Sequence, residues 1–590
     1  MPPQSHPLFV LILAGVLAAP GVVHADAGEL ERIDALLAGG ARTLALRVVE
    51  SAQTQNAGSE AWYELERRRL EIYRSESDWN AVAQRVAGLP KDAPEAFRRW
   101  ALSFAAECSL SANDPNSALQ YLRRLIWREQ ASPVEQARWR RLVIRSYLTD
   151  DNLADAQTAL LRYQQDFRAK DDAWQALHAE ILLRAGDDKP VFEILAGVQS
   201  FEASLMRLLA GLRTGVYKPA NVLQQVKKLD GALQKYPQLR RRAWTLAAQA
   251  AERAKDPGAR VDALERALAA DNQGPSDQLF PVLPDELWQA YENLAQVIGK
   301  SARLSIGQDR QWLHKAEEYK KAKPHYARAL YVFLMRHGQD DMTRRYAHQQ
   351  FGESLLVQGY ADVLQALYLN TARYRNVDNI PDVIRYRLVD KTLAEFKVHL
   401  AAQLMKDLIE APEQEDPVLW NLRRARVLVY AGDDELAITL LRSIIESHPK
   451  LDPALADRLL QVVFELQGID RHSDALGLLV QIFDRVDNAR MKREILFWEA
   501  DSHSALGQYF HAAERYLRSA TFNGSNGEDP WGHTARFHAA EALARAGLTE
   551  DARDVFVRLL KSTSDPKRRA VLERHIQQLW LQRKPDATAQ

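Results

Sequence analysis

Small or β-branched side chains recur along this chain at a nearly fixed interval. Ala45, Val82, Ala118, Ala156 and Val191 are followed by Ala263, and later by Ala437, Ala475, Ala512 and Ala552. The steps are 37, 36, 38 and 35, then 72 (two units), and finally 38, 37 and 40. A unit of that length holds one pair of helices, which cannot bury its apolar faces alone and must stack on its neighbours. Ala, Leu, Arg, Gln and Glu dominate the composition, and these residues favour helix. Lys plus Arg and Asp plus Glu both number 78, so no global field favours nucleic acid, and none is expected as a partner.

The clearest unit begins Trp420-Asn-Leu-Arg-Arg-Ala425 and runs through Tyr430, Gly432, Ala437, Leu441 and Ile444 to His448-Pro449. Gly432 suits the left-handed conformation that ends a helix. Ala425 and Ala437 let two helices approach closely, and Pro449 stops the second. This unit resembles the tetratricopeptide repeat (TPR). Further copies are Ala500…Gly507…Ala512…Tyr516 and Ala540…Gly547…Ala552…Phe556. Upstream stand Ala106…Ala118…Leu122, Ala179…Gly186…Val191…Leu195 and Ala251…Gly258…Ala263…Ala267. The resemblance implies an all-α, right-handed α-solenoid of antiparallel helix pairs, roughly fifteen of them. It also implies a groove, lined by the first helices, that holds peptide segments or partner domains.

The expected organisation is TPR-like repeats over residues 26–271, an irregular or degenerate helical stretch with a Pro-rich loop over 272–400, repeats again over 401–582, and a polar tail at 583–590. Within the irregular stretch, helices are expected at Trp288–Ile298, Trp312–Tyr319, Tyr326–His337, Met342–Gly359 and Val383–Leu408. Residues 1–25 read as a secretory signal peptide. Leu8 to Ala19 is apolar but short for a bilayer span, Pro20-Gly21 breaks it, and Val23-His24-Ala25 suits cleavage before Asp26. No membrane span is expected after cleavage. Cys108 is the single cysteine, which rules out internal disulfides and paired-cysteine metal or redox motifs. A large exported chain without disulfides fits a bacterial periplasm. Cys108 is expected as a small core residue.

The repeat register places certain side chains toward the groove. Arg138, Arg141 and Arg145 share one helix face through i, i+3, i+7 spacing. Trp100 and Glu107 belong to the preceding unit. Leu422, Arg426 and Tyr430 belong to the Trp420 unit, while Phe497 and Asp501, then Phe537 and Glu541, line the last two. The arginines are candidates to clamp a partner's carboxylates through bidentate contacts. The competing reading is a solvated face whose arginines pair with nearby acids.

No HExxH, Walker A, GxGxxG or GxSxG is present, and neither a catalytic residue nor a cofactor is expected. His511-Ala-Ala-Glu514 and His538-Ala-Ala-Glu541 place His and Glu on shared helix faces, but their alanines are packing positions and no metal is expected. Glu353-Ser354 resembles part of the catalytic motif of superhelical lytic transglycosylases, without the Gly-Leu-Met-Gln stretch that follows it there. The expected function is therefore a non-catalytic scaffold or adaptor for an envelope or periplasmic protein. The alternative is a glycan-binding or polysaccharide-export accessory protein.

Overall fold

In a computed structural model, residues 27–55, 59–270, 277–413, 415–524 and 529–582 are described. The expected signal peptide and tail lie outside them. The described residues form thirty α-helices and three short 3-10 turns, with no strand, and no described helix is long and apolar enough to cross a membrane. The fold is all-α, a TPR-like succession of antiparallel helix pairs.

Many first helices open on Pro at N1, preceded by a residue whose side chain accepts from the first turn's backbone. Ser132, Asp416, Asp452 and Asp529 do this before Pro133, Pro417, Pro453 and Pro530. Each such cap satisfies N–H groups that have no partner inside the helix and contributes about 1 kcal/mol. All ten recurring small positions are buried. Nine of them follow, by five residues, a residue in the left-handed region. That residue is Gly at 40, 186, 432, 507 and 547, but Ser77, Asn113, Asp151 and Asp470 take the same conformation elsewhere. In the Trp420 unit Gly432 has φ 83°, and the next amide, Asp433, donates back to Leu428 at 2.9 Å. This bond turns the chain into the second helix.

One compact unit comprises Met1–Asp256 and Gln273–Val282. Its repeats pack helix on successive helix. Cys108 is buried there, and burial pushes its thiol up to about 11, so it is inert at neutral pH. The expected Pro-rich loop returns to this unit. Leu279, Phe280 and Val282 are buried, Asp277 pairs with Arg242, and Gln278 accepts from Arg184.

The other unit comprises Pro257–Asn272 and Leu283–Gln590. Its first part departs from nearest-neighbour stacking. The helix Pro257–Ala270 packs on Pro284–Ala302, Pro324–His337 and Ala361–Leu369. Three expectations are corrected here. Gly258 does not end a first helix but lies inside Pro257–Ala270, where a Cβ would stand 2.4 Å from the Tyr326 hydroxyl; Lys255 makes the left-handed turn instead. Ala263 is buried but is the seventh residue of its helix, whereas Ala437, Ala475, Ala512 and Ala552 are each the fourth. The run Val383–Leu408 is two helices, Asp382–Ala394 and Val398–Met405, divided by a turn in which Phe396 has φ 58°. From Pro417 onward, contacts again run between helices one or two places apart in the chain.

Candidate functional site

The helix Pro133–Thr149 carries the three arginines on one side, and each meets an acid from a neighbouring repeat. Arg138 pairs with Glu107, Arg141 with Asp171, and Arg145 with Glu180. Arg141 Nε also donates to the Tyr163 hydroxyl at 2.6 Å. Hydrogen bonding to Arg141 holds the Asp171 carboxyl below its usual range. Trp100 is half-buried, stacked on Phe104 with centroids 5.0 Å apart and covered by the Arg67 guanidinium at 4.3 Å. This surface is a ladder of ion pairs between successive repeats, and its guanidinium groups are already engaged.

In the helix Pro417–Ala431, Leu422 is only 5% exposed and belongs to the packing. Arg426 and Tyr430 are exposed and converge on Glu465. One oxygen of Glu465 takes Arg426 at 2.7 Å and the Tyr430 hydroxyl at 3.1 Å, while its buried second oxygen has no partner.

Two crevices flank the helix Pro530–Arg545. Asp501, Ser504, Tyr516, His538, Glu541 and Arg545 line the first, of about 410 Å³. Tyr516 donates its hydroxyl to Asp501. Burial raises the Asp501 carboxyl above its usual range, against the pull of that hydrogen bond. Glu541 lies 3.2 Å from His538 Nδ1, and this contact lowers its carboxyl despite burial. The second crevice, of about 340 Å³, is mainly apolar: Phe537, Leu559, Val571 and Leu572 form it, with His533 and Lys567 among its polar lining residues. Phe497 is 9% exposed and packs beneath Tyr516 and Trp531.

Residues 421–450 match the tetratricopeptide repeat model. The match coincides with the Trp420 unit, which turns at Gly432 and buries both Ala425 and Ala437. Among solved structures, the chain is similar to the APC/C hetero-tetramer Cut9-Hcn1, with 13% identity and TM-score 0.29, covering 92% of this chain and 95% of that one. It is also similar to yeast Tom70, with 8% identity and TM-score 0.22, covering 83% and 97%. No curated protein sequence matches.

Of the expected groove residues in the tetratricopeptide-like C-terminal repeats, Asp501 and Glu541 therefore share one crevice and Phe537 lines the next, whereas Leu422 and Phe497 are core. His538, Tyr516, Arg545 and Ser504 were not among the expected residues. His538 opens an HxxE pair, a pattern that the packing alanines between its ends also explain. In the other pair, the His511 ring stands 5.5 Å from the His503 ring. Among the described residues no three His, Cys, Asp or Glu side chains converge as metal ligands. Ser354 accepts from Arg328 at 3.0 Å, and Gln350 donates to Glu353 at 3.5 Å.

Proposed function

We propose that this chain is a non-catalytic scaffold, exported to the periplasm, that holds a protein partner of a cell-envelope process in the crevices flanking Pro530–Arg545. The observation that carries this reading is the succession of two unlike crevices on one tetratricopeptide-like helix. One presents two carboxylates with His538 and Arg545, and the other presents an apolar floor beneath Phe537. A peptide crossing the helix sets a polar or cationic side chain in the first and an apolar one in the second. Alternation of that kind gives register as well as affinity. The segment at residues 1–25 supports export.

A photoreactive phenylalanine analogue at position 537, activated in intact cells, tests this reading. One dominant envelope protein should be captured, and Ala505→Trp, which fills the rim of the first crevice, should remove the adduct. Capture that Ala505→Trp leaves unchanged would overturn the crevice assignment. A chain that keeps residues 1–25 and stays in the cytoplasmic fraction would overturn the periplasmic part.

A further inference from the structure

The helix Pro133–Thr149 has a fourth arginine, Arg140, that leaves it in another direction. At about 100° per residue, Arg140 points about 160° away from Arg138 and about 100° away from Arg141. It lines a pocket of about 260 Å³ formed with the helices Pro115–Arg128 and Leu153–Phe167, which contribute Arg123 and Arg162. Arg138, Arg141 and Arg145 each have an acid partner. Among the described residues, none of Arg123, Arg140 and Arg162 forms an ion pair. Two carboxylates also line the pocket. Asp155 is tied to the Asn152 amide at 2.9 Å, and Asp166 lies exposed at the end of its helix. Apart from Thr158, the remaining wall is apolar and aromatic, with Ile126, Val143 and Tyr147 in it and the Trp127 ring 79% exposed at the rim.

Three guanidinium groups with no ion-pair partner around one cavity favour a multiply charged oxyanion, because the planar donor fork matches phosphate geometry. The cavity is several times the roughly 30 Å³ of one water, so a bare anion leaves most of it empty. It is also smaller than the ~300–1,000 Å³ typical of drug-sized ligands. We propose that this pocket binds a small phosphate monoester, its dianionic head on Arg123, Arg140 and Arg162 and its organic body against Tyr147 and Trp127. Sugar phosphates and aryl phosphates share this chemistry, and the aromatic wall accepts either face to face. This site is independent of the crevices proposed above for the protein partner.

Isothermal titration of the full chain with phenyl phosphate, glucose 6-phosphate, phenyl sulfate and inorganic phosphate tests the proposal. At least one phosphate monoester should bind more tightly than inorganic phosphate or phenyl sulfate, and the preferred ester identifies the source. Arg140→Gln and Arg162→Gln should each weaken it about tenfold or more, and Asp166→Asn should strengthen it severalfold by removing a repelling charge. Arg553→Gln, on the helix Thr549–Ser562, does not alter the pocket lining and should change nothing. None of the three pocket arginines has an ion pair to lose, so the variants should keep the parental melting temperature and circular dichroism. No heat at millimolar ligand, or affinity unmoved by the arginine substitutions, would overturn the proposal. Equal affinity for inorganic phosphate and the esters would do so too, by reducing the pocket to an adventitious ion site. Binding of an acidic peptide with every ester excluded would replace it with a protein-docking surface.

Discussion

Arg328 engages both carboxylate oxygens of Glu265 at a point where each side chain is 1% exposed. The Tyr291 hydroxyl donates to the same carboxylate, and Ser354 accepts from the guanidinium. Removing one partner leaves a buried charge without its counterpart. Glu265→Gln or Arg328→Met should each destabilise the fold by about 3–5 kcal/mol in urea unfolding. Combining Glu265→Leu, Arg328→Met and Tyr291→Phe should recover most of that loss. A triple variant no better than the worst single one would refute the pairing argument.

His348 is buried, with Nδ1 2.7 Å from the Tyr368 hydroxyl, and burial reinforced by nearby Arg373 pushes its pKa down to about 4. The folded state therefore holds it neutral, while the unfolded chain protonates it near 6.5. Its contribution to stability is complete above about pH 6.5 and is lost as pH falls toward 4, up to about 3 kcal/mol. Unfolding free energies at pH 7.5, 5.5 and 4.5 should show this decline, and His348→Gln should flatten it. Parallel profiles for parent and variant would contradict the assignment.

Phe396 is 90% exposed and holds φ 58°, a conformation that costs a bulky side chain about 1–2 kcal/mol. Phe396→Gly should raise stability by about 0.5–1 kcal/mol after the added freedom of the unfolded chain is counted. Phe396→Ala keeps the strain and should gain nothing. Equal melting temperatures for the two variants would mean that the backbone is not the cause.

Gly258 lies against the Tyr326 ring, so Gly258→Ala forces the two helices apart. The expected cost is about 1–3 kcal/mol, as for other overpacked cores. Tyr326→Leu in the same chain should return part of it, because the clashing atoms lie at the far end of the ring.

These turns also explain what a reader of the sequence can and cannot see. Gly432, Gly507 and Gly547 announce their turns because glycine is the residue expected there. Ser77 adopts the same φ with nothing in its identity to mark it, and Asn113 and Asp470 tolerate that φ better than most residues but are too common elsewhere to announce a turn. Val222, the fourth residue of Pro219–Leu233, is wholly buried like its counterparts, but it follows Val191 by 31 residues and so falls off the regular interval. The break at Phe396 gave no signal, since an exposed aromatic in a helical run reads as continuation. At the site level, spacing puts Arg138, Arg141 and Arg145 on neighbouring turns of one helix. It could not say that Glu107, Asp171 and Glu180 stand opposite them, because those acids come from other repeats. Leu422 and Phe497 failed for a related reason: apolar groove and core positions lie close together on the same helix, and only packing separates them.

The Glu265–Arg328 pair joins residues 63 apart, and the Trp288 indole reaches the Leu367 carbonyl across 79. Excising any helix pair between these ends strands a polar group in the interior, so this stretch must be inherited whole. After Pro417 the turns at Gly432, Asp470, Gly507 and Gly547 are each followed five residues later by a buried alanine, and the loss or gain of one segment brings like against like. Evolutionary changes in length are expected there, and any partner that reads the C-terminal crevices must tolerate them.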